Sequence, residues 1–195
     1  MPSPPPDEPP ARPAGAPAPG NFRQWAGATH ATLAMVFTDI VSSSALGNKL
    51  GNRAMDALRQ AHFARAADLA RRYGGYVVKT MGDSVMAAFR AAGDALDFAL
   101  ALHADPGDRR VRIRAGVHVG PVSIQDADAH GASVNYAARV VGAPDGAEVW
   151  LSSEAKSHVD QQGAAHHAEL PWLPHAGMQL KGFPGKHVLW SFVPH

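Results

Sequence analysis

Two short apolar segments around a glycine-containing turn constrain the fold of this chain most strongly. Residues 76–79 and 84–89 consist largely of valine, alanine and aromatic side chains, and they flank the turn Thr80-Met81-Gly82-Asp83. Because so short a connection leaves no room for a crossover, it predicts an antiparallel β-hairpin.

The segments on either side of the hairpin complete an ordered set of strands and helices. Residues 33–37 form a continuous apolar run, which is typical of a buried strand. Residues 53–73 carry apolar side chains at helical spacing, and residues 94–103 predict a second helix. Residues 111–118 alternate basic and apolar side chains, as in a strand with one solvated face. This order predicts an α+β protein with a ferredoxin-like βαββαβ core.

Further elements are expected at both ends of this core. C-terminal additions comprise a helix at about 134–141, a strand at 148–151, a helix capped by Ser152 and a strand at 187–193. Residues 1–28 are expected to be a disordered, partly polyproline-II tail, because nine of the first twenty residues are proline. A ligand for an SH3-like partner is the alternative. Residues 29–195 are then one folded domain.

Composition limits the classes of function. The 195 residues include no cysteine, which excludes disulfides, thiolate metal sites and cysteine nucleophiles. A formal charge of +1 argues against a nucleic-acid or membrane-surface partner. No window approaches the roughly 20 apolar residues of a membrane helix. The N-terminus lacks the pattern of a secretory signal, so a cytoplasmic protein is expected.

Two aspartates are candidate metal ligands. Asp39 follows the first predicted strand, and Asp83 lies on the hairpin turn. In a ferredoxin-like sheet the first strand lies beside the hairpin, so the two carboxylates can converge. Their oxygens suit Mg²⁺ or Mn²⁺ and leave coordination positions for triphosphate oxygens. Each aspartate taken alone is better explained as a strand-end or turn residue.

Four motifs give the pair its context. In chain order they are Val36-Phe37-Thr38-Asp39-Ile40-Val41, Val78-Lys79-Thr80-Met81-Gly82-Asp83-Ser84, Ile113-Arg114-Ala115-Gly116-Val117-His118-Val119-Gly120 and Gly131-Ala132-Ser133-Val134-Asn135-Tyr136-Ala137-Ala138-Arg139. This set resembles the catalytic domain of class III adenylyl cyclases over most of the folded part of the chain. The resemblance implies the class III nucleotidyl cyclase fold and an enzyme that forms cyclic AMP and pyrophosphate from ATP.

The resemblance also implies a metal site and a phosphate site. Asp39, the backbone carbonyl of Ile40 and Asp83 match the positions that hold two Mg²⁺ or Mn²⁺ ions per active site. Arg114 falls where the family keeps a second phosphate-side arginine, although a solvated strand face explains it nearly as well. Ser42-Ser43-Ser44 follows Asp39 where the family binds phosphates with backbone amides; these serines are also explained as turn caps.

Three further residues match the family's catalytic positions on a helix and a turn. Asn135 matches the residue that orients the ribose, and Arg139 matches the one that contacts the α-phosphate. Their spacing of four places both on one helix face, which without the resemblance would be interpreted as an exposed polar stripe. Lys181, in Leu180-Lys181-Gly182-Phe183, matches the lysine that binds the terminal phosphates.

Base selection is expected to depend on Lys79 and Asp128. Lys79 matches the lysine that reads the adenine edge, and Asp128 matches the residue that accepts from the adenine amino group. Asp126 is the competing assignment, and the spacing to Gly131 favours Asp128. Ala129-His130 replaces the bulkier apolar pair common before that glycine, which weakens the prediction of base selectivity.

The family's active sites lie between two subunits. The aspartates come from one subunit, and Lys79, Asp128, Asn135, Arg139 and Lys181 come from the other. One chain here carries both sets, so a homodimer with two equivalent sites and an unidentified regulator are the expected partners besides ATP. The segment 123–130 is short, as in one bacterial branch whose dimerisation arm is short.

Three alternatives remain open at this point. The first is a catalytically silent, cyclase-like module that binds nucleotide or a partner, and the second is a cyclase with relaxed base specificity. The third is another two-metal enzyme on the same core, although the Gly-Gly-Asp/Glu-Glu-Phe signature of diguanylate cyclases is absent. The eleven histidines, among them His166-His167, show no metal-ligand spacing and are interpreted as surface residues.

Overall fold

The apolar run at residues 33–37 lies in an inner strand of the sheet. The structure is a computed structural model, and it describes residues 20–192. The elements in chain order are α1 (Phe22–Ala26), β1 (His30–Ile40), α2 (Ser43–Leu50), α3 (Asn52–Arg72), β2 (Tyr76–Met81), β3 (Ser84–Phe89), α4 (Ala92–Ala104), β4 (Ile113–Gln125), β5 (Asp128–His130), α5 (Ala132–Val141), β6 (Val149–Ser152), α6 (Ser153–Gln162), α7 (Ala165–Ala168), β7 (Leu173–Leu180) and β8 (Phe183–Phe192).

The sheet has the order β2-β3-β1-β4-β6-β8-β7, with β5 paired to β4. β1 is antiparallel to both β3 and β4, and β2 and β3 form the predicted hairpin. β6 runs parallel to β4, and β8 and β7 follow antiparallel. The ferredoxin-like core with C-terminal additions is thereby confirmed.

Alternate side chains of β1 enter separate cores on the two faces of the sheet. Ala34, Val36 and Ile40 pack with side chains of α3, α4 and α6. Leu33, Met35 and Phe37 pack with side chains of α1 and α5. The second face, covered by α5, carries most of the residues that the sequence assigned to a site.

Two glycines of β4 let α5 lie directly against the sheet. A Cβ added at Gly116 would lie 2.3 Å from the backbone nitrogen of Val141, and one at Gly120 would lie 2.3 Å from Ser133 Oγ. Since no side chain fits into either gap, these glycines fix the depth of α5 and therefore the position of Asn135 and Arg139.

The predicted boundary at residue 28 is wrong within the described residues, while residues 1–19 lie outside them. Asn21 caps α1 by accepting from the backbone of Gln24 at 2.8 Å. Phe22 and Trp25 are buried, and both rings contact Tyr76. The folded domain therefore includes residues 21–28, because these two aromatic side chains pack against Tyr76 of β2 in the core on the α5 face.

The remaining differences concern short or polar elements. The sequence interpretation did not include α2, β5, α7 or β7. The strand β5 and the helix α7 are only three and four residues long, and α2 and β7 bury few side chains. The Ser152 cap of α6 is confirmed, with its side chain accepting from Ala155. No helix among the described residues is long and apolar enough to cross a bilayer.

Candidate active site

Asp39 lies one residue before the end of β1, opposite Arg114 of β4 in the strand register. Arg114 donates to Asp39 Oδ2 from Nη2 at 2.8 Å and from Nε at 3.2 Å. Its Nη1 also donates to the Pro144 carbonyl at 3.0 Å, which fixes the guanidinium plane. Arg114 is therefore a partner of the first candidate metal ligand in this structure, and its predicted phosphate contact stays a prediction.

Asp83 lies in the β2–β3 turn, where Gly82 adopts a φ of 58°. Arg59 of α3 donates to Asp83 Oδ1 from Nε, and to Asp56 from Nη1 at 2.9 Å. Burial raises the pKa of Asp83, but hydrogen bonds from Ser43 and Arg59 outweigh that effect, so the pKa lies below its usual value. The carboxylate is therefore held in its charged form, the form that binds a cation.

The two aspartates fit a site for hard divalent cations. Ser84, the residue after Asp83, donates to Asp39 Oδ1 at 3.4 Å, so the ends of β1 and the hairpin meet. Each carboxylate is only partly exposed and is neutralised by an arginine, which indicates that this position requires positive charge. The carbonyl of the buried Ile40 follows Asp39 as a further oxygen donor.

A polar cavity of about 270 Å³ adjoins Asp83. Its lining includes Arg59 and Asp83 and the polar side chains of Ser43, Ser44, Asn48 and Asn52. The helix α2 begins at Ser43, and its N-terminus has no side-chain cap. Backbone amides in the first turn of a helix have no intrahelical partners and suit an anion. The phosphate role expected for this segment stays a prediction.

Lys79 and Asp128 meet on the α5 face of the sheet. A bulge between Val77 and Lys79 sets Lys79 opposite Met86, whose side chain belongs to the core on that face. Lys79 Nζ donates to Asp128 Oδ2 at 2.5 Å, and the amide of Ala129 donates to Asp128 Oδ1 at 2.8 Å. Burial raises the pKa of Asp128, but the hydrogen bond from Lys79 leads the effects that leave it lowered.

Asp126, the competing residue, lies elsewhere. It occupies the turn between β4 and β5 with a φ of 54°, and it is exposed. The contact with Lys79 is made by Asp128, and the assignment of Asp128 to base reading stays a prediction.

α5 and the β7–β8 turn carry the remaining residues. Asn135 and Arg139 are both exposed on α5. Arg139 Nε donates to the backbone carbonyl of Lys181 at 3.0 Å. Lys181 is itself exposed at the turn, with Gly182 at a φ of 87°. The lysine and the arginine that the sequence assigned to phosphate oxygens are therefore neighbours.

The predicted residues form several small contact groups. Asp39 bonds to Arg114 and Ser84, and Asp83 bonds to Arg59 and Ser43. Lys79 bonds to Asp128, and Arg139 bonds to the backbone of Lys181. Across residues 20–192, the structure gives no hydrogen bond or ion pair between the aspartate groups and the Lys79–Asp128 or Arg139–Lys181 pair, nor between these two pairs. Each chain thus presents site residues that its own hydrogen bonds do not join into one site.

Arg59 is the residue that sequence reasoning missed. It lies 24 residues before Asp83, in the middle of a helix whose sequence indicates only an amphipathic surface. A hydrophilic residue at an ordinary helix position carries no signal of its tertiary partner. Only the packing of α3 beside the hairpin reveals it.

Comparison with known proteins gives this geometry a context. The profile of the family described as "Adenylate and Guanylate cyclase catalytic domain" matches residues 26–188. An adenylate cyclase of Streptomyces coelicolor is 33% identical over 110 residues, which cover 55% of this chain and 29% of that protein. The chain therefore spans less than a third of that relative's length.

Solved structures share the fold. The adenylyl cyclase CyaB of P. aeruginosa superimposes with a TM-score of 0.73 and 21% identity, covering 85% of this chain and 95% of that one. The guanylate cyclase domain of RhGC from Catenaria anguillulae, in complex with GTP, superimposes with a TM-score of 0.70 and 22% identity, covering 85% and 98%. Proteins named as an adenylyl cyclase and as a guanylate cyclase therefore both share this fold.

Proposed function

This chain belongs to the adenylate and guanylate cyclase catalytic domain family, and we propose that it is an adenylyl cyclase that forms cyclic AMP and pyrophosphate from ATP. The observation that carries the choice of adenine is the pair of Lys79 and Asp128, whose polar atoms lie 2.5 Å apart. One ammonium donor and one carboxylate acceptor complement the ring nitrogen and the amino group of adenine. Guanine presents a carbonyl and a ring N–H at these positions, which leaves both groups unpaired.

The remaining residues supply orientation and charge. Asn135 hydrogen-bonds the ribose and directs its 3′-hydroxyl toward the α-phosphorus for an in-line displacement. Arg139 contacts the α-phosphate, whose negative charge increases in the transition state. Lys181, held beside Arg139 by the backbone contact, neutralises the departing pyrophosphate together with Arg114. Lys181 at the β7–β8 turn and Arg139 on α5 therefore act on neighbouring phosphates.

Asp39, the Ile40 carbonyl and Asp83 would hold two Mg²⁺ or Mn²⁺ ions. Bound there, the ions supply Lewis-acid activation of the 3′-hydroxyl and charge neutralisation of the triphosphate. The amides at the start of α2 bind phosphate oxygens beside them. Arg59 and Arg114 are the residues that release the carboxylates when the site fills.

A complete site is proposed to need two chains. Within one chain the groups around Asp39 and Asp83 are not bonded to the Lys79–Asp128 and Arg139–Lys181 pairs, and the resemblance assigns these two sets to opposite subunits of a two-fold dimer, where each set would complete the other's site. Both resulting sites would be equivalent. A single chain is then expected to bind nucleotide weakly and to turn it over very slowly.

The deciding experiment is a product assay with the purified full chain. ATP or GTP is supplied with Mg²⁺ or Mn²⁺, and cyclic nucleotide is measured against an Asp83→Ala preparation purified in parallel. Cyclic AMP above that background is the expected result. A chain that binds ATP without forming product would instead be a silent nucleotide-binding module, and equal use of both nucleotides would indicate relaxed base specificity.

A further inference from the structure

A second cluster of ligand-type side chains lies on the opposite face of the sheet from α5. Asp97 of α4 and His166 and His167 of α7 bring three ligand atoms within 4.8 Å of one another. His166 Nε2 lies 3.1 Å from Asp97 Oδ1, and His167 Nε2 lies 2.8 Å from the same oxygen. The interpretation of this pair as ordinary surface histidines is wrong for His167, which is 3% exposed.

The charge of Asp97 lacks a permanent counter-charge. Its side chain is 17% exposed, and among residues 20–192 its ion-pair partners are the two imidazoles and no lysine or arginine. Neutral imidazoles can donate hydrogen bonds to the carboxylate, but they do not cancel its charge. A cation bound among the three side chains does so directly.

We propose that Asp97, His166 and His167 bind a late first-row divalent ion of the Zn²⁺ class. Two imidazole nitrogens and one carboxylate oxygen form a donor set typical of zinc, with the fourth tetrahedral position open to water. Mg²⁺ prefers an all-oxygen set, so this site and the aspartate site differ in the ion they favour. The metal replaces the two His–Asp hydrogen bonds, and each ring proton then resides on Nδ1.

An ion at this site would have a structural effect. The Nδ1 of His167 is buried and has no hydrogen-bond partner among the described residues, so this ligand would lack the outer hydrogen bond that usually supports a histidine on a metal, and the binding free energy must also offset that unpaired N–H. The carbonyl of His167 accepts from Trp172 Nε1 at 2.9 Å, just before β7. An ion at this site therefore ties α4 to the segment that leads into the β7–β8 hairpin.

Sequence spacing could not reveal this cluster. Adjacent histidines do not have the separation of a recognised zinc motif, and Asp97 precedes them by 69 and 70 residues. The three residues meet only because α4 and the segment after α6 pack on the same side of the sheet.

The test measures Zn²⁺ binding directly. Untagged, chelator-treated full chain is titrated with Zn²⁺ by calorimetry in excess Mg²⁺, which is added to fill the proposed aspartate site. One Zn²⁺ per chain is expected, and His166→Ala should weaken binding about tenfold or more, since a lost ligand costs at least what a lost supporting contact does. His158→Ala, which removes an exposed histidine of α6, is the matched control and should bind as wild type does.

Two further measurements complete the design. Co²⁺ should give the intense visible absorption of a four-coordinate site in wild type and in His158→Ala, but not in His166→Ala or Asp97→Asn. Circular dichroism of each variant confirms the fold, and thermal melting should show stabilisation by Zn²⁺ only where the site is intact. Equal Zn²⁺ affinity of wild type and His166→Ala overturns the proposal. A wild-type chain that binds no Zn²⁺ overturns it as well. None of these readouts depends on cyclase activity.

Discussion

Ion pairs in two regions of this chain resemble each other and are proposed to bind different ligands. Asp39 and Asp83 are neutralised by Arg114 and Arg59, and Asp128 is neutralised by Lys79. Under the proposed function, a bound cation would take over the role of the arginines, so the arginines would compete with the metal. The nucleobase would need both the donor Lys79 and the acceptor Asp128, so this pair would separate but neither member would be replaced. The same kind of ion pair would therefore belong to a cation site in one place and to a base-reading site in the other.

The largest expected effect comes from removing the proposed metal ligands. Asp39→Ala and Asp83→Ala should each abolish cyclase activity while the fold stays intact, because no other carboxylate is assigned to hold the ions. Activity in saturating Mn²⁺ is the measurement, with circular dichroism as the check on folding. Asp160→Ala, on the surface of α6, is the control and should remain active. Retention of more than a few per cent of activity by either variant contradicts the assignment.

Mixing two inactive variants tests whether Asp39 and Arg139 act from different chains. Asp39→Ala and Arg139→Ala are expected to be inactive alone. In a heterodimer one site is intact and the other is doubly broken. Random pairing of equal amounts gives about half heterodimers, each with one of its two sites intact, so about a quarter of wild-type activity should return. Subunit exchange must be demonstrated by a tag on one variant. A mixture that exchanges subunits and stays inactive rejects the shared site.

Base choice is the next effect in size. ATP should be preferred over GTP by about tenfold or more in kcat/KM, since each unpaired buried polar group costs about 1–3 kcal/mol. The double variant Lys79→Glu with Asp128→Cys should narrow or reverse the ratio. Asp126→Ala is the matched control, and its ratio should equal that of wild type. If Asp126→Ala loses the preference and Asp128→Ala keeps it, the base is read by Asp126.

The smallest effect concerns the competition between Arg59 and the metal. Arg59→Gln should tighten Mn²⁺ binding to Asp83 by about three- to tenfold, because a unit charge about 8 Å from a divalent ion is worth about 1 kcal/mol in water. Electron paramagnetic resonance of Mn²⁺, without nucleotide, measures this directly. Arg65→Gln on the same helix, which pairs with Asp105, is the control. Weaker binding by Arg59→Gln would mean that Arg59 positions Asp83 and does not compete.

The core of the fold could be predicted because its signals are local. The hairpin turn, the apolar run of β1 and the helical spacing of α3 each lie within a short window of sequence, and all were confirmed. The helix α1 was missed because proline-rich sequence precedes it, and two aromatic residues alone indicate no helix. β7 was missed because its exposed positions follow no clear alternation.

The sequence by itself determined the family, the order of the core elements and which residue types stand at the motif positions, because these are properties of short segments and their sequence separation. Only the tertiary structure decided which charges meet. Lys79 contacts Asp128 across 49 residues, Arg114 contacts Asp39 across 75, and Asp97 contacts His167 across 70. Such contacts depend on strand register, on a bulge that turns Lys79 to the α5 face, and on helices packed side by side. A charged residue has the same local sequence signature whether it faces water or a partner distant in the chain.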